Sequence, residues 1–189
     1  MKLLDHIFCQ IPTLETERTY LRKLLYTDKA DIFEYAKNPR VSEHVLWYPH
    51  KTEMDTIEFL NLMYYSYNKN ECGSWGIELK ETRKIIGTIG FANWNRDKNE
   101  GEVGYVLAEE YWGKGIATEA LEKVIKFGFT VLELNKIFAR SKPVNVGSLK
   151  VLVKCGFKYE GLQRKQIMIK GKMEDMDLFS IKKEDWENN

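Results

Sequence analysis

The chain has 189 residues, enough for one domain and short for two. Its 43% hydrophobic content can bury a full core. With 29 basic against 28 acidic side chains the net charge is +1, which excludes a broad electrostatic funnel for nucleic acid.

The first eleven residues carry little pattern. Residues 19–24 alternate weakly and predict a first strand. Asp28 stands as an N-cap before a helix over 30–37, which Asn38 and Pro39 stop. Val45, Leu46, Trp47 and Tyr48 make an apolar, aromatic-rich segment within 41–49, of the kind that usually serves as satellite core. Thr52, with Asp55 three residues on, approaches a capping box. The helix that follows has Ile57, Leu60, Met63, Tyr64 and Tyr67 on its apolar face. A polar loop over 68–73 leads to strands at 74–79 and 85–91, joined as a hairpin at 81–84. Residues 93–101 read as a polar turn into a strand at 102–107, giving three sequential antiparallel strands. After a glycine turn, Ile116, Ala117, Ala120, Leu121, Val124, Ile125, Gly128 and Leu132 share one side of a long helix. Residues 136–141 form a strand, and its arrival through a helical crossover implies a parallel pair with 102–107. Pro143 and Asn145 open a helix that runs to Cys155 and stops at Gly156. Strands at 157–166 and 173–181 flank a turn at 170–172, and the polar tail after Lys182 reads as frayed.

Cys9, Cys72 and Cys155 are odd in number and widely spaced, matching neither a disulfide framework nor a zinc pattern. A reducing, cytoplasmic setting suits them. Cys155 ends an apolar helix and reads as core rather than as a nucleophile. His6, His44 and His50 lack metal-ligand spacing, so no metal is expected. The opening residues break at Asp5 and His6 too early for a signal peptide, and no run approaches membrane-spanning length.

The chain is organised around residues 102–121, a strand, a tight glycine turn and a helix. Gly113, Lys114 and Gly115 sit where backbone N–H groups at a helix start lack intrahelical partners, a site suited to phosphate. An ordinary strand-to-helix loop would use glycine in the same way. A Walker A loop is excluded, because Gly115 follows Lys114 where Ser or Thr is needed and Ala108 stands where a glycine is needed. A Rossmann fingerprint is excluded because Thr118 replaces its third glycine.

Trp112, Gly113, Lys114, Gly115, Ile116 and Ala117 resemble the acetyl-coenzyme A signature of the GNAT superfamily of N-acetyltransferases, Arg/Gln-x-x-Gly-x-Gly/Ala. Trp112 replaces the usual Arg or Gln, a departure shared with the RimJ/RimL-type branch of ribosomal-protein acetyltransferases. Further stretches resemble that branch: residues 14–22, Glu102 to Tyr105, Asn145 with Ser148, and Lys154 to Phe157. They occur in family order from about residue 14 to 181. The resemblance implies one domain over 1–189, with 1–11 and 183–189 peripheral. Its fold would be α+β with α/β/α layers, around a mixed, mostly antiparallel sheet of about seven strands. A splayed parallel pair would mark the cofactor site.

The resemblance further implies that acetyl-CoA lays its pantetheine arm along the backbone of Val106 and Leu107. Its pyrophosphate would rest on Trp112, Gly113, Lys114, Gly115, Ile116 and Ala117. Thr118 adds a hydroxyl there or is simply a first-turn residue. Asn145 would bond the pantetheine arm, and Ser148 would protonate or stabilise the thiolate; the residues alone read as an N-cap and a first-turn serine. The tyrosine that serves many GNAT members as acid has no evident counterpart. Glu102 is the chosen base, direct or through water, with Glu100 on the same face. The segment 41–49 would help to wall the acceptor pocket.

The leading functional expectation is acetyl transfer to the α-amine of a protein N-terminus, such as that of a ribosomal protein. A peptide α-amine titrates near 7.7–8.0 against about 10.4 for lysine, so it asks less of a weak base. The alternatives are transfer to a small amine, a polyamine or antibiotic, and a silent module that binds coenzyme A as a sensor. No nucleic-acid or membrane partner is expected, and a homodimer stays open.

Overall fold

A computed structural model describes residues 7–70 and 73–188. Cys72, His6 and the first six residues lie outside the described part. The chain runs β1 (Leu14–Glu15), β2 (Thr19–Arg22), α1 (Lys29–Ala36), α2 (Pro39–Ser42), α3 (Glu53–Lys69), β3 (Ser74–Leu79), β4 (Ile85–Asn95) and β5 (Glu100–Leu107). It continues α4 (Ile116–Thr130), β6 (Lys136–Ser141), α5 (Val146–Lys154), β7 (Lys158–Ile169), β8 (Lys172–Lys182) and α6 (Lys183–Glu187). The strands form one sheet in the order β1-β2-β3-β4-β5-β6-β8-β7. Among the described residues the sheet has eight strands, in keeping with the expected seven or so, the additional one being the two-residue β1. Among the described residues only β5 and β6 pair in parallel.

Strand alternation sends apolar side chains to both faces, and each face is covered by helices. Val103 and Leu107 of β5 and Ile137 and Ala139 of β6 pack with Ile116, Ala120, Leu121 and Val124 of α4. Val106 faces the other layer, where Ile32 and Tyr35 of α1 meet Leu60 of α3. The parallel pairing lasts for three residues only: Glu100 opposite Lys136, Gly101 opposite Ile137, and Glu102 opposite Phe138. Beyond that point β5 stays with β4 as far as Leu107, and β6 stays with β8 as far as Ser141. A gap therefore opens between β5 and β6 towards their C-terminal ends.

The structure corrects several boundaries. Phe8 and Ile11 are buried in the core, so residues 7–11 are not peripheral. The tail forms α6 instead of fraying, because Trp186 packs against Phe129 at a 5.3 Å ring separation. β4 extends to Asn95 and β5 begins at Glu100, which shortens the turn expected over 93–101. Asp28 stands at the N-cap position of α1 but does not cap it. Its carboxylate accepts from both terminal nitrogens of Arg22 and from the Leu25 N–H, each at 2.8 Å. Pro39 ends α1 as expected and also begins α2, where Asn38 accepts from the Arg40 N–H. The capping box at Thr52 forms, with Asp55 accepting from the Thr52 N–H at 2.8 Å.

Candidate active site

The main chain leaves β5 through a short 3-10 turn, Glu109–Tyr111, and reaches α4 by way of Gly113 and Gly115. Both glycines have positive φ, 72° and 80°, where a side chain would be strained. Trp112 folds back, and its indole N–H donates to the Leu107 carbonyl at 2.7 Å. The first helical hydrogen bond runs from the Glu119 N–H to the Gly115 carbonyl. Among the described residues, none of the N–H groups from Gly113 to Thr118 finds a protein acceptor. These unpaired donors lie at the positive end of a 15-residue helix, in an exposed turn.

Arg18 braces this turn, a role that its place in the 14–22 motif did not reveal. Its Nη1 donates to the Lys114 carbonyl at 2.8 Å, while its Nε and backbone N–H donate to the Glu119 carboxylate. Burial alone would raise the Glu119 pKa, but hydrogen bonds from Thr16 and Arg18 outweigh it and hold the group below its usual range. Lys114 lies with its ammonium 5.5 Å from the Tyr111 ring centroid. Thr118 lies in the first turn of α4, with no side-chain hydrogen bond among the described residues.

The register decides which part of β5 faces the gap. The Ala108 N–H donates to the Ile86 carbonyl, and Val106 lies opposite Thr88. The period of two turns the main-chain groups of Val106 towards β4 and those of Tyr105 and Leu107 away from it. Of the pair expected from sequence, Leu107 turns its main-chain groups to the gap and Val106 turns its own to β4, whereas Tyr105 also faces the gap. The Leu107 carbonyl already accepts from Trp112, so its free group is the N–H.

Across the gap, α5 starts at Asn145, whose side-chain oxygen accepts from the Ser148 N–H at 3.2 Å. Its side-chain amide nitrogen has no partner among the described residues. The Tyr105 hydroxyl lies 3.0 Å from Ser148 Oγ and donates to the Ser148 carbonyl at 3.2 Å. A tyrosine from β5 thus meets the serine singled out in the sequence, bridging the two sides of the gap. The 102–105 stretch carries no sign in sequence that Tyr105 would meet this serine. Burial pushes its phenol well above the usual value, so it stays protonated. Cys155, nearby on the same side, is buried, and its thiol is pushed up to about 12 by desolvation; it is core, as expected.

The family model for the acetyltransferase (GNAT) domain matches residues 18–158. The chain belongs to the GNAT acetyltransferase family. It is 34% identical over 174 residues to an uncharacterised N-acetyltransferase, p20, of Bacillus licheniformis, covering 92% of this chain and 98% of that one. A ribosomal-protein-S5-alanine acetyltransferase structure from Vibrio fischeri superposes with a TM-score of 0.76 at 30% identity, covering 93% of this chain and 98% of that one. The uS5-alanine N-acetyltransferase of Escherichia coli is 28% identical over 113 residues, 59% of this chain and 58% of that one. These relatives place the chain in the RimJ/RimL-like branch. Enzymes of the GNAT family use acetyl-CoA, and this chain is an N-acetyltransferase by family.

In this GNAT chain Glu102 has a partner that was not anticipated. Arg140 Nε and Nη2 donate to its two carboxylate oxygens at 2.8 and 2.5 Å. The pair is largely buried and ties β5 to β6 just where they begin to part. With both oxygens engaged, Glu102 is better placed to fix the opening than to take a proton unaided. Glu100 lies at the paired end, opposite Lys136. In the 41–50 segment the Trp47 and His50 rings meet at a tilt with centroids 5.3 Å apart, and His50 Nδ1 lies 2.8 Å from the Thr56 hydroxyl. Burial lowers the His50 pKa, so it is neutral at pH 7. Among the described residues no cluster of ligands could hold a metal, and no helix is long and apolar enough to cross a membrane.

Proposed function

We propose that this enzyme transfers the acetyl group of acetyl-CoA to the α-amine of a protein N-terminus, such as that of a ribosomal protein. The observation that carries this reading is the run of unpaired N–H groups from Gly113 to Thr118, aligned with the mouth of the β5–β6 gap. Acetyl-CoA, when bound, supplies an activated thioester and a thiol leaving group. The amides of 113–118 suit its diphosphate, Lys114 adds positive charge beside them, and Arg18, paired with Glu119, holds the turn in shape. The gap-facing groups of Tyr105 and Leu107 and the free amide of Asn145 suit the pantetheine arm.

The acceptor nitrogen forms its new bond to the acetyl carbon as the carbon–sulfur bond breaks. Ser148 Oγ donates its hydrogen towards the sulfur, with Tyr105 holding the serine in place. Glu102 takes the amine proton through a bridging water, because Arg140 engages both of its oxygens. An α-amine needs less help than a lysine amine, so this arrangement favours the former. The names of the uS5-alanine acetyltransferase relatives agree with that choice.

The test is release of free thiol from acetyl-CoA with a panel of acceptors. Peptides with free N-termini should turn over, and Nα-blocked peptides with internal lysine should not. Turnover of polyamines alone would overturn the peptide reading in favour of a small-amine enzyme. Tight coenzyme A binding with no turnover by any amine would leave a sensor.

A further inference from the structure

The face of the sheet away from α4 and α5 gathers several basic side chains where β5 and β6 part. Phe138, Arg140 and Lys142 alternate along and just beyond β6, on the face opposite buried Ile137 and Ala139. Glu102 and Gly104 share that face on β5, and a Cβ built on Gly104 would meet nothing within 4 Å. This is open space on the side of the gap that Ser148 does not occupy. The β7–β8 hairpin reaches the same region. Glu174 on β8 pairs with Lys142 at 3.1 Å, and Lys170 Nζ donates to the Ser42 carbonyl of α2 at 2.6 Å.

The ion pairs here leave Lys170 without a carboxylate at contact distance among the described residues. Glu102 is taken by Arg140. Glu174 is shared by Lys142 at 3.1 Å and Lys172 at 3.6 Å. Lys170 has the Ser42 carbonyl and the Tyr48 ring, 5.6 Å from its centroid, but no carboxylate within ion-pair distance among the described residues. Burial and the neighbouring Lys142 charge both lower its pKa, with Glu43 opposing. The Lys142 side chain is only 14% exposed. Lys142 is tied by Glu174 to the hairpin whose turn carries Lys170, and Lys170 has only a carbonyl and a ring beside it, so an incoming anion would find an ammonium with no carboxylate in ion-pair contact.

We propose that Lys142 and Lys170 form a subsite for a carboxylate or phosphate carried by the amine acceptor. For a peptide this is an acidic side chain just after the N-terminus. The proposal rests on the function proposed above, in which Glu102, on this face, takes the proton of the acceptor amine.

The experiment compares kcat/KM, by thiol release, for peptides that differ only at the second and third residues: aspartate, asparagine, lysine or phosphoserine. Wild type should favour aspartate over asparagine roughly tenfold, about the effect of one well-placed charge pair, and should disfavour lysine. Lys170→Met and Lys142→Met should each shrink the ratio, and the double variant should bring it near one. A ratio taken within one enzyme cancels any loss of folded protein. Phosphoserine above aspartate would identify phosphate as the better ligand, and the reverse would identify carboxylate; both support the subsite. Equal rates for aspartate and asparagine in wild type, or a preference unchanged in the double variant, would overturn it. If small amines alone turn over, the peptide reading fails by itself, and the same ratio is measured between amino acids and their amides. If no amine turns over, calorimetric binding of N-acetylated aspartate and asparagine peptides in the presence of coenzyme A reads the same preference.

Discussion

The two sides of the β5–β6 gap are built from different materials. On the side of α4 and α5, the groups offered to a ligand are mostly main chain: the amides of 113–118 and the open edge of Tyr105 and Leu107. On the opposite side they are side chains: the Glu102–Arg140 pair, Lys142, Lys170, Glu174 and the rings around His50. A main-chain site tolerates many side chains but few backbone conformations. A side-chain site is the reverse. One cofactor shared across a family suits the first, and acceptors that differ between members suit the second.

The sharpest way to break this contrast is at Gly115, where φ is 80° and α4 begins. Gly115→Val forces a β-branched residue into the left-handed region, and its Cβ would stand 3.5 Å from Arg18 Nη2. Coenzyme A affinity should fall on the order of 100-fold, matching a strain of roughly 2–3 kcal/mol. Calorimetric titration of folded variant checks this; retained affinity would remove the diphosphate from this turn.

A smaller effect is expected where a side chain intrudes on the main-chain side. Ser148→Ala should lower kcat by about 10- to 100-fold while KM for acetyl-CoA changes little, because in the proposed mechanism the lost group acts on the leaving sulfur. Tyr105→Phe keeps the ring and the serine but frees the hydroxyl to rotate. Its kcat should fall by about fivefold, the size of one neutral hydrogen bond. A Tyr105→Phe enzyme as slow as Ser148→Ala would make the tyrosine the acid itself; unchanged rates in both would leave the pair a structural link.

The smallest effect concerns the brace under the glycine turn. Glu119 is lowered from its ordinary value of 4.5, so its pairing with Arg18 contributes stability above that value. The contribution is lost as pH falls through the lower folded-state value. Glu119→Gln should therefore be less stable than wild type at pH 7, by about 0.5–1 kcal/mol. The two proteins should converge in urea unfolding as pH drops below 4.5. A gap that stays constant down to acid pH would assign the loss to packing instead of charge.

Much of the main-chain side could be read directly from sequence. Glycine spacing, the switch from period 2 to period 3.6 at Ile116, and Asn145 with Ser148 are local signals, and local sterics enforce them wherever they occur. The helix α4, the parallel pairing of β5 with β6 and the hairpins follow from the same kind of pattern. Tertiary structure alone decided the rest, because each remaining feature joins residues far apart in the chain. Tyr105 reaches Ser148 across 43 positions, Arg140 reaches Glu102 across 38, and Arg18 reaches the glycine turn across 96. Val106 and Leu107 look equivalent in sequence; only the register with β4 turns one towards its neighbour and the other into the gap. Phe8, Ile11 and Trp186 carry no periodicity of their own and are ordered by the core that they cover. Local geometry is written in adjacent residues, whereas a charge or hydroxyl gains its chemistry from whatever the fold sets beside it.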